Sequence, residues 1–433
     1  DRGGSSNVRP AMTDAAKASN LYLPKLATQL REGYGLADLR ADAVAGLTVA
    51  IVALPLSMAI AIASGVGPER GLYTAIVGGF LVSMLGGSRF QIGGPAGAFI
   101  VLVAGTVHLH GIEGLILATF LSGLMLAAGG VLRLGNLIRL IPAPVTVGFT
   151  AGIAVIILAS QVRDLLGLTL AGGEPAQFGP KVAALAQALP SANPPAVAVA
   201  AVVIALILAV RRWRPAWPAL LIAVSLASAA AVLFALPVET IGSKFGGIPR
   251  TLPMPHLPDL AWTKVLAVLP AAAAFTLLGA IESLLSAVVA DGMTGRRHRS
   301  NMELVAQGIA NSGAALFGGM PVTGTIARTA TNVRAGAHGP VSGMLHALYL
   351  LAFMLIAAPL AAYIPLAALA GLLAVVAWNM VEKAEIAHLL RENRGGAAVM
   401  AVTLALTLAH DLIAGIAAGC VLAMGIASLR RRR

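Results

Sequence analysis

The sequence predicts an all-α polytopic membrane protein with about fourteen transmembrane segments, arranged as two inverted seven-segment repeats whose two broken half-helices meet at the bilayer midplane. Three observations support this fold class: an apolar composition, a succession of charge-free runs, and two glycine–proline breaks in corresponding positions of the two halves. The composition is 58% hydrophobic and 11% charged, with a mean hydropathy of +0.87. A soluble domain of this size does not carry so little charge, so the chain is predicted to lie in a membrane.

The charge-free runs divide the chain into candidate spans, since about 20 apolar residues cross the hydrocarbon core as a helix. The run at 339–381 is long enough for two spans, with a turn at 363–365. Segments 95–107 and 325–335 are too short to cross alone, which is tolerated where irregular backbone lines a cavity inside the protein. The runs without Asp, Glu, Lys or Arg are 43–68, 71–88, 90–112, 114–132, 140–162, 182–210, 219–238, 265–281, 304–327, 339–381, 395–410 and 412–429.

The two breaks are GGPAGA at 93–98 and GGMPVTGT at 318–325. In a polytopic membrane protein such a pair is typical of broken helices from an inverted repeat. Each broken helix leaves an N-terminus with unpaired N–H groups and a positive dipole end near the midplane. Because two such ends attract an anion, the breaks predict an anion transporter.

The net charge of +12 follows the predicted topology. With a cytoplasmic N-terminus and alternating sides, most Lys and Arg fall in cytoplasmic loops, which is the positive-inside bias. This distribution places both termini in the cytoplasm and argues against a nucleic-acid partner. The cytoplasmic cations are Arg133, Arg139, Arg211, Arg212, Arg214, Arg296, Arg297, Arg299, Lys383, Arg391, Arg394 and Arg430 to Arg433.

The chain divides into three parts. Residues 1–41 form a polar N-terminal segment that ends in an amphipathic interfacial helix. Residues 42–262 form the first repeat with spans 1–7 and a linker, and 263–433 form the second repeat with spans 8–14. Asp38 and Asp42 flank the start of the first span, where helix capping explains them better than proton coupling does.

Two charged residues lie inside predicted spans. Glu282 sits in the middle of an apolar helix, where a carboxylate is expensive unless it is functional or partnered. It is interpreted either as a proton-coupling or cation-coupling site, or as a structural acid that pairs with Arg328 or caps a broken helix. Arg328 lies in the first turn after the second break, and its planar fork matches a carboxylate, sulfate or bicarbonate.

No other residues form a site of recognisable chemistry. Cys420 is the single cysteine, and no His or Cys set has metal-ligand spacing, so neither a metal nor a cofactor is expected. His346 is interpreted as a satisfied core residue, and His410-Asp411 as a solvated turn. The Ser and His residues form no nucleophile–base constellation, so the chain is not predicted to be an enzyme.

Dispersed motifs over about residues 21–429 resemble the SulP family, the bacterial branch of solute carrier family 26. The narrower likeness of VVAWNM at 375–380 and NVRAGA at 332–337 is to bacterial dicarboxylate transporters. The motifs that carry the family resemblance are LPLSMA at 54–59, GLY at 71–73, GSR at 87–89, DGMTG at 291–295, Asn301, Glu303, Gln307-Gly308, Asn311 and Arg328-Thr329.

The resemblance implies a core domain of spans 1–4 and 8–11 that carries substrate past a gate domain of spans 5–7 and 12–14, in a homodimer. It also implies an anion between the two half-helix N-termini, with Glu282 completing the pocket as the coupling residue. Family members usually carry a cytoplasmic STAS domain after the last span. Since the sequence ends at Arg433, we expect that domain to be absent from this chain. The substrate-binding residues implied are Ser57, Ala96, Gly97, Ala98, Phe99, Gly324, Thr325, Ile326, Ala327 and Arg328.

Two departures from the family bear on the substrate. Leu56 and Ala327 stand where many relatives have Gln and Ser, and two fewer donors suit a dicarboxylate better than a tightly held sulfate. The sequence therefore predicts a proton-coupled symporter of small dicarboxylates such as fumarate or succinate, working by an elevator-like shift in a bacterial inner membrane. A sulfate or sodium-coupled bicarbonate carrier, a nucleobase symporter and an anion channel are the alternatives.

Overall fold

The computed structural model describes residues 22–135, 142–170, 174–175, 177–410 and 412–431. Most of the predicted polar N-terminal segment, together with Arg139, Asp411, Arg432 and Arg433, lies outside these ranges. The described helices before residue 250 are α1 Lys25–Glu32, α2 Leu36–Ala63, α3 Pro68–Tyr73, α4 Gly79–Leu85, α5 Ile100–Val131, α6 Ala143–Leu166, α7 Phe178–Ala188, α8 Pro194–Trp213, α9 Ala219–Leu233 and α10 Ile241–Phe245. Those after it are α11 Trp262–Thr294, α12 Ser300–Leu316, α13 Ile326–Arg334, α14 Pro340–Ala361, α15 Leu366–Met380, α16 Lys383–Glu392, α17 Arg394–Ala409 and α18 Leu412–Arg431.

Within the described ranges, eight helical stretches are long and apolar enough to cross a membrane, and α9 and α17 are shorter apolar helices. The prediction of a multi-pass helical membrane protein is therefore confirmed. The predicted turn at 363–365 falls between the end of α14 at Ala361 and the start of α15 at Leu366. The two short segments are also present, because α13 has nine residues and α5 is interrupted at Gly111, whose φ of 67° lies in the left-handed region.

The two glycine–proline breaks meet in a two-stranded antiparallel sheet. Strand β1 is Gly93–Gly94 and strand β2 is Thr323–Gly324, with Gly93 opposite Gly324 and Gly94 opposite Thr323. A 3₁₀ turn at Gly97–Phe99 then leads into α5, and α13 begins directly after β2. Extended backbone therefore joins the two halves of the chain where each helix is broken.

Around this sheet the helices pack in two groups. The first group contains α2, α4, α5, α11, α12, α13 and α14, and the second contains α6, α8, α9, α15, α17 and α18. The two groups meet chiefly where α15 and α9 touch α2. Small residues allow close approach inside the first group, since a Cβ on Gly308 of α12 would lie 2.6 Å from the carbonyl oxygen of Gly123 in α5.

The acid at the start of α2 stabilises a different helix from its own. Asp42 is fully buried, and its Oδ1 accepts hydrogen bonds from the backbone N–H groups of His338 (2.6 Å) and Gly339 (3.0 Å), which precede α14. Its Oδ2 accepts from the hydroxyl of Tyr34 at 2.8 Å. Asp38 caps α2 itself, through a bond of 2.9 Å from the N–H of Gly35. Both acids are accounted for as capping groups.

Candidate functional site

The centre of the molecule presents two helix N-termini to each other. The residues before them, Ala96 and Thr325, have extended backbones, and neither N-terminus is capped by a side chain. The N–H of Thr325 donates to the carbonyl oxygen of Ile92 at 3.2 Å, so the second half-helix is held against the first break. N–H groups of the first turn of each helix remain available to an anion.

Arg328 is buried between these two ends, with 1% of its surface exposed. Its Nη2 donates to the hydroxyl of Ser57 in α2 at 3.2 Å, and that hydroxyl donates to the carbonyl oxygen of Ala53 at 2.7 Å. The Nε and Nη1 atoms of Arg328 are buried without a hydrogen-bond partner. The guanidinium therefore has two unused donors in a place where unused charged donors are costly.

The backbone of the first break packs against the guanidinium of Arg328. A Cβ on Gly94 would overlap Nη1 of Arg328, so the arginine lies directly against the glycine backbone. The reverse contact exists at the second break, where a Cβ on Gly324 would overlap the side-chain amide of Gln91. Each half of the chain thus places a polar side chain in the space that a glycine of the other half leaves free.

The orientation of α13 is fixed by side chains on the face that carries Arg328. Thr329 accepts at its hydroxyl from the N–H of Ile92 at 3.2 Å and from the hydroxyl of Ser286 at 3.0 Å. Asn332 donates to the carbonyl oxygen of Phe90 at 2.9 Å. These bonds connect α13 to the segment before β1 and to α11, and so restrict where the guanidinium can move.

Glu282 lies on α11, with 8% of its surface exposed. Among the described residues, neither a hydrogen bond nor an ion pair within 4.0 Å engages its carboxylate. The predicted structural pairing with Arg328 is therefore not formed, and Glu282 caps neither half-helix. The first packing group therefore contains the unpaired carboxyl group of Glu282 and the guanidinium of Arg328, which has two donors without a partner.

The remaining predicted residues surround the half-helix ends with different accessibilities. Ala96, Ala98 and Phe99 are buried, and the ring of Phe99 meets that of Phe275 edge to face at 5.9 Å between centroids. On the other side Gly324 is buried. Gly97, Thr325 and Ile326 are half-buried, and Ala327 is exposed. The first turn of α13 thus borders open space, whereas the arginine one residue further on does not.

The second group of helices reaches this site at Gly97. A Cβ at Gly97 would lie 3.0 Å from Cδ1 of Ile157 in α6 and 3.9 Å from the sulfur of Met380 in α15. Sequence reasoning did not identify Ile157 or Met380, because nothing in an apolar helix distinguishes the residue that faces a half-helix on a remote segment.

The buried polar network around Glu303 was also not predicted from the sequence as a set of connected residues. Glu303 is fully buried, and its carboxylate accepts from the N–H of Ser88 at 2.9 Å, from Gln307 at 3.1 Å and from the hydroxyl of Ser283 at 3.4 Å. That hydroxyl accepts from Gln91 Nε2 at 2.7 Å. Glu303 and Gln307 belong to the motifs behind the family resemblance, and this network gives them a role in holding the segment before β1.

The geometry corrects one further prediction. His346 is buried as predicted, but both of its ring nitrogens lack a partner, so it is not a satisfied core residue. Among the described residues, no group of three or more His, Cys, Asp or Glu side chains could hold a metal ion.

Comparisons with known proteins identify relatives that cover most of the chain. The family model of the sulfate permease family matches residues 39–403. The chain is 45% identical over 394 residues to the protein described as "Putative sulfate transporter YvdB" of Bacillus subtilis, which covers 90% of this chain and 74% of YvdB. It is 33% identical over 402 residues to the bicarbonate transporter BicA of Synechocystis, which covers 89% of this chain and 69% of BicA.

Among solved structures, the transmembrane domain of a cyanobacterial bicarbonate transporter, BicA, superposes with a TM-score of 0.80 at 31% identity, over 88% of this chain and 98% of that domain. The structure of SLC26A9 gives a TM-score of 0.85 at 18% identity, over 99% of this chain and 73% of that one, which is a likeness of fold alone.

Proposed function

The chain belongs to the sulfate permease family, and on that premise we propose that it carries a small planar oxyanion between its two half-helix N-termini, with Arg328 as the binding cation. Family membership itself makes the chain a multi-pass anion transporter and not an enzyme. The observation that carries the proposal is the pair of unpartnered donors on Arg328, Nε and Nη1. Nε and Nη1 lie on different edges of the guanidinium and each edge also includes Nη2, so an anion can bind one of them together with the N–H of Nη2 that Ser57 leaves free.

The electrostatics of the site support one negative head group. A buried charged donor without a partner costs about 1–3 kcal/mol or more, and an anion bound to the guanidinium removes part of that cost. The N–H groups of the two half-helix ends add positive potential from both sides. Arg328 is the only buried Lys or Arg that the described residues place at these ends.

Glu282 is proposed to couple anion movement to a cation. An ionised carboxylate near the bound anion would repel it, and an unpaired carboxylate inside the membrane is costly in its own right. A proton on Glu282 removes both penalties, so anion binding and proton binding favour each other. Sodium would compensate the same charge, and coupling to sodium is the competing form of this proposal.

For the substrate we propose bicarbonate or one carboxylate of a small dicarboxylate such as fumarate or succinate. The relatives named for bicarbonate support the first, and the exposed small side chain of Ala327 beside the first turn of α13 leaves room for the second. Sulfate, for which the relative YvdB is named, is the competing substrate: it places both negative charges at the single guanidinium, whereas a dicarboxylate carries its second charge at the far end of the molecule.

The wider architecture is also a proposal. We propose fourteen segments in two inverted repeats, a core domain of spans 1–4 and 8–11, a gate domain of spans 5–7 and 12–14, an elevator-like movement, and a homodimer in a bacterial inner membrane with both termini cytoplasmic. The two packing groups of helices support the domain division, since all elements of the half-helix site except the contacts from α6 and α15 belong to the first group.

Uptake into proteoliposomes tests the function directly. Radiolabelled bicarbonate and fumarate are supplied with and without an inward proton or sodium gradient, and each is competed with sulfate. Arg328→Gln should abolish gradient-driven uptake of the transported anion, while Arg334→Gln, an exposed arginine at the end of the same helix, should not. Equal uptake by the two variants would contradict the assignment of Arg328.

A further inference from the structure

The short helix α1 lies across the ends of several helices of the first packing group. Arg299, which immediately precedes α12, donates from Nη1 to the carbonyl oxygen of Leu23 at 2.6 Å and to the hydroxyl of Thr28 at 2.9 Å. The N–H of Lys25 donates to the carbonyl oxygen of Gly86 at 2.9 Å. These contacts bring α1 together with the segment before β1 and with the junction of α11 and α12.

This junction concentrates positive charge. Arg89 has 8% of its surface exposed, its Nη2 lies 2.6 Å from Glu32, and its Nε is buried without a partner. Lys25 is half-buried next to Arg299 and Arg89. Burial, followed by the charges of these two arginines, lowers the pKa of Lys25 to about 8. Within the described part of the chain, no carboxylate lies within 4.0 Å of its amine.

The acids nearby do not neutralise the cations. Glu32 is shared between Arg89 at 2.6 Å and Arg296 at 3.9 Å. Asp291 is engaged by the ring of His298 at 2.7 Å and by the N–H of the same residue at 3.0 Å. Four cations, namely Lys25, Arg89, Arg296 and Arg299, therefore face two occupied carboxylates.

We propose that Lys25, Arg89 and Arg299 form a second oxyanion site, for a phosphate or phosphodiester group, separate from the half-helix site. A cluster of cations with a buried unpartnered guanidinium donor and an unpaired amine matches the several acceptor oxygens of such a group. Because α1 is an amphipathic helix at the edge of the membrane domain, the phosphodiester of an anionic lipid and a free phosphate are the two sources. The site lies where α11 ends and α12 begins, so an occupant would fasten α1 to the segment that leads into β1.

The test measures thermal stabilisation of the full chain by two probes: phosphatidylglycerol against phosphatidylcholine in nanodiscs, and inorganic phosphate in detergent. Apparent affinities follow from the dependence of Tm on ligand concentration. Lys25→Gln should weaken binding by about ten-fold or more, the loss of one hydrogen bond from a charged donor. Arg31→Gln removes the same charge from an exposed position on the same helix and should leave the affinity unchanged.

The pH dependence separates binding from folding. Lys25 faces Arg299, Arg89, Asp291 and Glu32, and loses its own charge as the pH rises through about 8. Wild-type affinity should therefore fall between pH 7 and 9, and the Lys25→Gln variant should lack this fall. Stabilisation by phosphatidylglycerol alone identifies a lipid, and stabilisation by phosphate as well identifies a soluble ligand. The proposal is overturned if neither probe stabilises the protein, or if Lys25→Gln and Arg31→Gln bind equally.

Discussion

Replacing Gly94 with alanine should damage anion binding while leaving the protein folded. The added Cβ would overlap Nη1 of Arg328, which is the far end of a flexible side chain. The guanidinium can move aside, so the cost to folding should be small. The move takes Nη2 away from the hydroxyl of Ser57, now 3.2 Å distant, and takes the unpartnered donors Nε and Nη1 away from the half-helix ends.

The magnitude follows from the contact that is lost. A hydrogen bond from a charged donor contributes about 1.5–3 kcal/mol. If the anion depends on the present position of the guanidinium, that range corresponds to a binding constant weakened by about ten-fold to more than one hundred-fold. The double variant with Ser57→Ala should be less than additive, because both changes remove the same contact.

The assay compares anion Kd and gradient-driven uptake in wild type, Gly94→Ala and a matched glycine variant. Gly105→Ala serves as the control, since it lies on the helix that follows the first break and nothing stands within 4 Å of its added Cβ. Both variants should retain wild-type Tm within a few degrees, and only Gly94→Ala should lose affinity. A Gly94→Ala protein with wild-type Kd would refute the assignment of the Arg328 guanidinium to the anion.

Three other substitutions have distinct expected outcomes. Glu282→Gln mimics the protonated side chain, so anion exchange should persist while acceleration by a proton gradient disappears; retention of full gradient dependence would remove Glu282 from the coupling role. Asp42→Ala leaves two N–H groups before α14 and the hydroxyl of Tyr34 without their acceptor, and should lower the free energy of unfolding by about 2–3 kcal/mol, measured as a reduced Tm. Gly308→Ala places a Cβ against backbone of α5 that cannot yield, at a cost of about 1–3 kcal/mol. Gly292→Ala on α11 meets nothing within 4 Å and should be neutral in the same measurement, so equal Tm values would contradict the close packing of α5 and α12.

The broad organisation of the fold could be predicted because its signals are local. Charge-free runs mark the helices, and the glycines and prolines at 93–98 and 318–325 mark where two of them stop. The burial of Arg328 follows from its place in such a segment. Hydropathy and backbone preference depend on neighbouring residues, so a single sequence contains them in full.

Contacts between segments that are far apart in the sequence could not be predicted from such local signals. Asp42 caps a helix almost 300 residues away, and its sequence position suggested only its own helix. Glu282 and Arg328 look like partners by charge, yet they form no ion pair, because which way each side chain points depends on how α11 and α13 pack. For the same reason the sequence did not identify Ser57 as the hydrogen-bond partner of Arg328. The family resemblance had placed Ser57 near the substrate without that contact.

The reciprocal contacts at the two breaks restrict how this protein can change during evolution. Arg328 of the second half fills the space at Gly94, and Gln91 of the first half fills the space at Gly324. A larger residue at either glycine is therefore acceptable only if the long side chain opposite becomes shorter in the same lineage. The two breaks should be inherited as one unit, and a chimaera that takes one break from a relative and keeps the other should lose transport that is recovered when both are exchanged together.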